Sequence, residues 1–211
     1  MRNDKSILIK NGQIILPDAV INESVYICDG KIKDIGRISL SQKNLSHVHV
    51  INAKQKYVSP GFIDLHIHGE PFEIEKTQAP FGTTGFLMGF HGCGLERLRK
   101  ITQQKTRSCL GVFCEGPFLN PRMRGAIPLR AIHKVHTPLL EKMIEASSYP
   151  LKIMTIAPEL ASIKSLLIAL KKQRITASIG HTNASFTQAK EAISLGAVHA
   201  THCFNRMSFP T

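Results

Sequence analysis

Apolar positions along the chain fall into two rhythms. Up to about residue 57, short β-branched runs at 7–9, 14–16, 25–27 and 32–35 alternate with polar stretches that carry Asn11-Gly12 and Asp29-Gly30. Asn-Gly and Asp-Gly between such runs are the strongest short-range hairpin signal. Residues 1–57 are therefore predicted to form a small N-terminal β domain. From residue 58 onward the pattern becomes a short apolar segment, a Gly- or Pro-bearing loop and then a helical stretch, which is the mark of β/α units on a parallel sheet. Strands are predicted at 58–68, 83–90, 109–115, 152–157, 175–181 and 198–204. Between them, Leu95, Leu98 and Ile101, and again Leu160, Ile163, Leu167 and Leu170, recur at the spacing that turns one helix face onto a sheet. Thr137 with Pro138 reads as an N-cap followed by proline at the first helical position. Ser185 with Gln188 reads as a capping box on a helix closed by Gly196.

Length constrains the architecture. A closed barrel of eight β/α units takes roughly 200 residues at the least, whereas 211 − 57 leaves 154 after the β domain. The expected fold is α/β: an incomplete (β/α)8 TIM barrel of about six strands over residues 58–211, preceded by a portion of a β-sandwich over residues 1–57. Residues 207–211 follow the sixth predicted strand directly, so the chain reads as C-terminally truncated. The step from Gly69 to Gly82, 82 − 69 = 13 positions, is short for a full helix.

Composition narrows the class further. With 43% hydrophobic and 20% charged residues the chain has the balance of an ordinary globular protein, and no apolar run approaches the ~18 residues of a membrane helix. Arg2, Asp4 and Lys5 lead into only a short apolar patch, which is not a secretory signal pattern. A cytoplasmic protein is expected. The five cysteines, Cys28, Cys93, Cys109, Cys114 and Cys203, show no C-x-x-C spacing and an odd count, so they are expected to be reduced core residues. The formal charge of +12 suits an anionic partner such as a phosphorylated small molecule or nucleic acid. However, its clusters, Arg97, Arg99 and Lys100 or Lys171, Lys172 and Arg174, sit at predicted helix ends without interleaved aromatics, which argues against nucleic acid.

Candidate chemistry lies at the predicted strand ends. Asp64, His66 and His68 alternate along the first barrel strand, so a period of two sends all three to one face. Glu115 ends the third strand before Gly116-Pro117, and His181 and His202 occupy equivalent places on the fifth and sixth. Active sites of this architecture sit at that end of the barrel. One Glu and two His leave an open coordination position, the arrangement of a catalytic rather than a structural zinc site. Singly, each histidine reads as an ordinary hydrogen-bonded residue; their joint placement is what points to a metal. Cys114, Cys203 and His199 alternate to the opposite face, His91 reads as a loop residue, and His47, His49, His133 and His136 lie in polar or connecting segments.

These residues resemble a known family. The run 59–69, S-P-G-F-I-D-L-H-I-H-G, is similar to the first-strand signature of the amidohydrolase superfamily. C-E-G-P-F-L-N-P at 114–121 with Arg124-Gly125-Ala126, G-H-T-N-A at 180–184 and T-H-C-F-N-R-M at 201–207 resemble the N-acetylglucosamine-6-phosphate deacetylase family over essentially the whole chain. That resemblance implies hydrolysis of the acetamide of N-acetylglucosamine 6-phosphate to glucosamine 6-phosphate and acetate, with a divalent metal: zinc first, or iron, manganese or cobalt. It implies Glu115, His181 and His202 as metal ligands, His66 and His68 at a second metal position, and Ala126 and Asn205 at the substrate. It also implies a homodimer for the full-length family. Arg206 replaces a small residue of the motif, and either supplies a cation for the phosphate or obstructs the pocket. Ile127 stands where many members have His. The family's catalytic aspartate belongs to a later strand that 211 residues do not reach, so no catalytic residue is assigned and little or no turnover is expected of this polypeptide alone. The alternative is a remnant that binds metal or sugar phosphate without turnover.

Overall fold

The computed structural model describes residues 6–39, 47–92 and 94–208. Cys93 and the charged Arg2, Asp4 and Lys5 lie outside them. Two compact units are present, Met1–Gly61 and Phe62–Thr211. Among the described residues, no helix is long and apolar enough to cross a membrane.

The first unit is a sheet in the order β3-β2-β1-β4, with β5 also pairing with β1. Its strands are β1 (Ser6–Ile15), β2 (Val20–Cys28), β3 (Lys31–Gly36), β4 (Val48–Asn52) and β5 (Tyr57–Val58). Asp29 and Gly30 both take positive φ, 54° and 70°, and turn β2 into β3, as an Asp-Gly hairpin should. Asn11-Gly12 behaves differently from its prediction. It lies inside β1 as an irregularity, where the pairing with β2 shifts register between Ile9 and Gly12. A Cβ on Gly12 would stand 2.7 Å from Val58 Cγ2, so the glycine serves the close approach of β5 rather than a turn. Leu8, Ile14 and Val25 form the buried part of this unit.

The second unit is a curled, all-parallel six-stranded sheet in sequential order, six strands of a (β/α)8 barrel. Its strands are β6 (Phe62–His68), β7 (Thr83–His91), β8 (Cys109–Glu115), β9 (Leu151–Ile156), β10 (Thr176–Ile179) and β11 (Ala197–Ala200). The helices between them are α1 (Pro71–Gln78), α2 (Leu95–Thr102), α3 (Thr137–Ala146), α4 (Ile163–Lys172) and α5 (Phe186–Ser194). The short Gly69-to-Gly82 step still accommodates α1, because Pro71 starts it at once and a 3-10 turn at Ala79–Phe81 ends it at Gly82, φ 92°. Alternation along the strands sorts the two faces. Phe86, Met88, Val112, Cys114, Met154 and Ile156 pack on one side against Leu98, Leu140, Met143, Leu166 and Leu170 of the helices. Leu87, Phe113 and Ile153 form a separate small cluster, and on β8 Glu115 shares the face of Phe113.

Helix ends follow their side chains. The Ser185–Gln188 capping box is complete in both directions, and Gly196 closes the far end with φ 108°. The α3 cap lies one residue earlier than predicted: His136 is extended and Thr137 is already helical, so Pro138 falls at the second position. Proline there still removes no intrahelical hydrogen bond. Leu160 packs against the core but precedes α4, which begins after Ser162.

Candidate metal centre

Glu115 is buried at the end of β8, and four imidazoles surround its carboxylate. Its Oε1 lies 2.9 Å from His181 Nε2 and 2.9 Å from His202 Nε2. Its Oε2 faces His68 Nε2 at 3.4 Å and His66 Nε2 at 3.8 Å. The residues thus form two groups sharing one carboxylate, Glu115–His181–His202 and His66–His68–Glu115, with the donor atoms of each group within 4.8 Å of one another. Burial on its own would raise the Glu115 carboxyl, but the four surrounding imidazoles, His181 first, outweigh it and hold the group well below the usual carboxylate range. Hydrogen bonding to Glu115 in turn raises His68, against the opposing effect of burial.

Backbone carbonyls orient the two buried-side rings. His181 Nδ1 is 2.8 Å from the Met123 carbonyl and His202 Nδ1 is 3.1 Å from the Asn205 carbonyl. A carbonyl only accepts, so each Nδ1 carries a proton: a bond donated to Glu115 Oε1 requires the doubly protonated ring, and a neutral ring turns an unprotonated Nε2 toward Oε1 instead. Three lone-pair donors then point at one another. A cation between them, or protonation of both rings, resolves that opposition. Zinc bonds of about 2.0–2.2 Å in tetrahedral geometry separate neighbouring ligand atoms by about 3.3 Å, against 2.9 Å from Oε1 to each Nε2 and no more than 4.8 Å between any two of the three donors. The donor set and its orienting carbonyls therefore fit a divalent ion. His66 is steadied by stacking on Phe113, with ring centroids 4.3 Å apart and planes 7° from parallel.

Strand alternation alone did not place every residue correctly. Asp64 does not join the cluster: β6 shifts register between Asp64 and Ile67, and Asp64 Oδ1 accepts from the His66 backbone N–H at 2.9 Å. The sixth strand stops at Ala200, so His202 and Cys203 sit in a turn, where Cys203 is exposed rather than packed. Cys109 and Cys114 are buried as expected, burial pushes the Cys114 thiol up to about 12, and Cys28 is half-buried. His199 was expected to face away from the site. Instead its Nδ1 meets Ser178 Oγ at 2.8 Å and its ring stands edge-on to Phe113, because β11 carries an extra residue against β10 between Ala197 and His199. His91 ends β7 rather than lying in a loop, and its ring centroid is 5.9 Å from that of His68. The two line a cavity of ≈ 330 Å³ with Glu70, Arg97, Lys100 and Gln104. Burial and the nearby Arg97 lower the His91 pKa. His47, His49, His133 and His136 belong to neither donor group.

Both His181 and His202 adopt left-handed backbone conformations, φ 49° and 29°. Asn205 and Ala126 are exposed. Arg206 lies against Gly125, where a Cβ would stand 2.9 Å from the guanidinium Nε, and Gly125 is itself left-handed at φ 59°. The sequence reading missed Glu159, three residues beyond β9, and the Met123 carbonyl. Glu159 carried a usable signal, a carboxylate just past a strand end like Glu115 itself; a backbone carbonyl carries none.

No family model matches the chain. It is 33% identical over 230 residues to the N-acetylglucosamine-6-phosphate deacetylase of Bacillus subtilis (strain 168), covering 97% of this chain and 57% of the relative. It is 29% identical over 212 residues to the deacetylase of that name from Lysinibacillus sphaericus, covering 87% and 52%. The crystal structure of N-acetylglucosamine-6-phosphate deacetylase from Thermotoga maritima superposes with a TM-score of 0.78 at 26% identity, covering 95% of this chain and 56% of that one. The chain spans about half the length of the curated relatives it matches. In sequence and in fold, the chain is similar to N-acetylglucosamine-6-phosphate deacetylases over most of its length.

Proposed function

We propose that the chain holds a divalent cation, zinc first, on Glu115, His181 and His202, with His66 and His68 forming a second position around the other Glu115 oxygen. We infer that the activity served is hydrolysis of the acetamide of N-acetylglucosamine 6-phosphate to glucosamine 6-phosphate and acetate. One observation carries the metal reading: Glu115 Oε1 meets two Nε2 atoms whose rings have their Nδ1 protons committed to carbonyls. The relatives' names supply the substrate class.

A bound divalent cation supplies Lewis acidity, polarising an amide carbonyl and acidifying water. The chain's own residues do the rest of what is visible. Met123 and Asn205 hold two rings in the tautomer that leaves Nε2 free, and Phe113 fixes the plane of His66. The Arg206 guanidinium, lying against Gly125 and next to Asn205, offers charge and a planar donor fork suited to a phosphate; Ala126 and Asn205 are its neighbours at the substrate. Among the described residues, Glu115 is the only carboxylate in either donor group. With every member of both donor groups serving as a ligand, none is left to move a proton; lacking such a group typically costs about 10²- to 10⁴-fold, and slow turnover is expected.

Calorimetry of the full chain with Zn²⁺, then of the loaded chain with N-acetylglucosamine 6-phosphate, tests the reading together with acetate release. Zinc binding that is lost in Glu115→Ala, sugar-phosphate binding and slow acetate release support it. Zinc binding unchanged in Glu115→Ala overturns the metal assignment, and no affinity of the loaded chain for the sugar phosphate overturns the substrate.

A further inference from the structure

We propose that Glu159 is a positioning residue for the metal centre, fixing His181 by clamping the loop that carries it to the loop that orients it; the inference rests on the metal reading above. Glu159 follows β9, and its hydrogen-bond partners among the described residues are Asn120, Thr182 and Asn183 rather than members of the His–Glu cluster. Its Oε1 accepts from Asn120 Nδ2 at 2.7 Å and from the Asn183 backbone N–H at 2.7 Å, and its Oε2 accepts from the Thr182 hydroxyl. Two of these donors belong to the residues directly after His181. The third belongs to Asn120, whose backbone N–H donates to the His181 carbonyl at 3.0 Å and whose carbonyl accepts from Met123 N–H at 3.0 Å. Met123 then receives the His181 ring proton. His181 is consequently held at its carbonyl and at its ring by one turn, residues 120–123, and Glu159 ties that turn to residues 182 and 183.

A free loop has little reason to adopt this arrangement. His181 is buried and left-handed, φ 49°, a conformation that persists only where the surroundings over-determine it. Three donors converging on one carboxylate supply that constraint. Glutamine has the same shape but no charge: its NH₂ group can replace Oε2 only if the Thr182 hydroxyl turns round to accept, and the bonds from Asn120 and Asn183 lose their charge assistance. Groups that orient a metal ligand typically contribute 10- to 100-fold to metal affinity.

Zinc affinity of the full chain, measured by chelator competition, is compared among wild type, Glu159→Gln and Ser185→Ala, with the d–d spectrum of the cobalt-substituted protein as a second readout. Ser185→Ala removes the α5 cap on the same β10-to-β11 connection without touching the clamp, and so controls for general destabilisation. Expected are a 10- to 100-fold weakening of zinc and an altered cobalt spectrum for Glu159→Gln, with neither for Ser185→Ala. Affinity within twofold of wild type and an unchanged spectrum overturn the inference. Failure of wild type itself to bind zinc removes the metal reading and this one with it, which separates the two. If Glu159→Gln does not fold, Thr182→Val decides. It deletes one donor and keeps the side-chain shape, and zinc affinity equal to wild type counts against the clamp.

Discussion

Gly180 separates β10 from His181, and adding one methyl group there should disturb both fold and site. A Cβ at Gly180 would stand 2.7 Å from Thr201 Cβ and 2.9 Å from Thr155 Cγ2, whereas ordinary carbon contacts begin near 3.5 Å. Each neighbour would have to recede by more than half an ångström. Thr201 cannot do so by changing rotamer, since its Cβ moves only with its backbone. That backbone is held by its N–H to the Ile179 carbonyl at 2.8 Å, and its hydroxyl by Ser178 at 2.6 Å and Thr155 at 2.9 Å. Overpacking of this kind costs about 1–3 kcal/mol, while stiffening the unfolded chain returns only about 0.4–1 kcal/mol. Gly180→Ala is therefore expected to lose on the order of 1–2 kcal/mol. Because Thr201 precedes His202 and Gly180 precedes His181, the strain also separates two donors and should weaken zinc. Urea unfolding of the metal-free protein and zinc titration measure the two effects. A variant as stable as wild type, with the same zinc affinity, would show that the hydroxyl-lined seam yields freely and would refute the reasoning.

Three further outcomes follow from features already described. In the metal-free protein the Glu115 carboxyl lies well below its usual 4.5, so its stabilisation is present above that value and fades as pH falls; His68 lies above its usual 6.5, so its stabilisation is complete below that value and is lost as pH rises. The stability difference between the metal-free chain and its His68→Gln variant, read from urea midpoints, should thus shrink as pH rises above 6.5, and a difference that grows from pH 5 to pH 8 contradicts the assignment. Ser185→Ala breaks both halves of the α5 capping box and should cost about 1 kcal/mol, read from the same urea curves; no change would mean that α5 is held by packing alone. Under native conditions a maleimide should label exposed Cys203 first and buried Cys114 only on unfolding, as peptide mass spectrometry would report; early labelling of Cys114 would contradict its place beneath the helices.

What the sequence disclosed depended on whether a signal was local and regular. The strand Cys109–Glu115 was legible to the residue because alternation is unbroken and Gly116-Pro117 ends it, and with it the place of Glu115. The Ser185–Gln188 box was legible because both partners lie within one turn. Alternation misled wherever a strand gained a residue or ended early. The irregular β6 turned Asp64 back on its own chain, the extra residue in β11 brought His199 to the inner face, and the stop at Ala200 put Cys203 in solvent. Asn11-Gly12 looked like a hairpin because the pressure that sets its role, the approach of Val58, comes from 46 residues away (58 − 12). Glu159 escaped notice for a related reason: its partners are spread over residues 120, 182 and 183 and become one group only when three strands lie side by side.

The left-handed backbones of His181 and His202 have a consequence for how this fold tolerates change. A glycine would occupy either position at no steric cost, whereas a side chain there costs on the order of 1–3 kcal/mol, somewhat less for histidine than for most residues. Replacing either ring by glycine should then relieve that backbone strain, but at the loss of the ring's contacts to a backbone carbonyl and to Glu115 and of the capacity to capture an ion. Backbone ease and chemistry pull in opposite directions at these two sites, and the strain measures what the barrel gives up in order to keep its imidazoles.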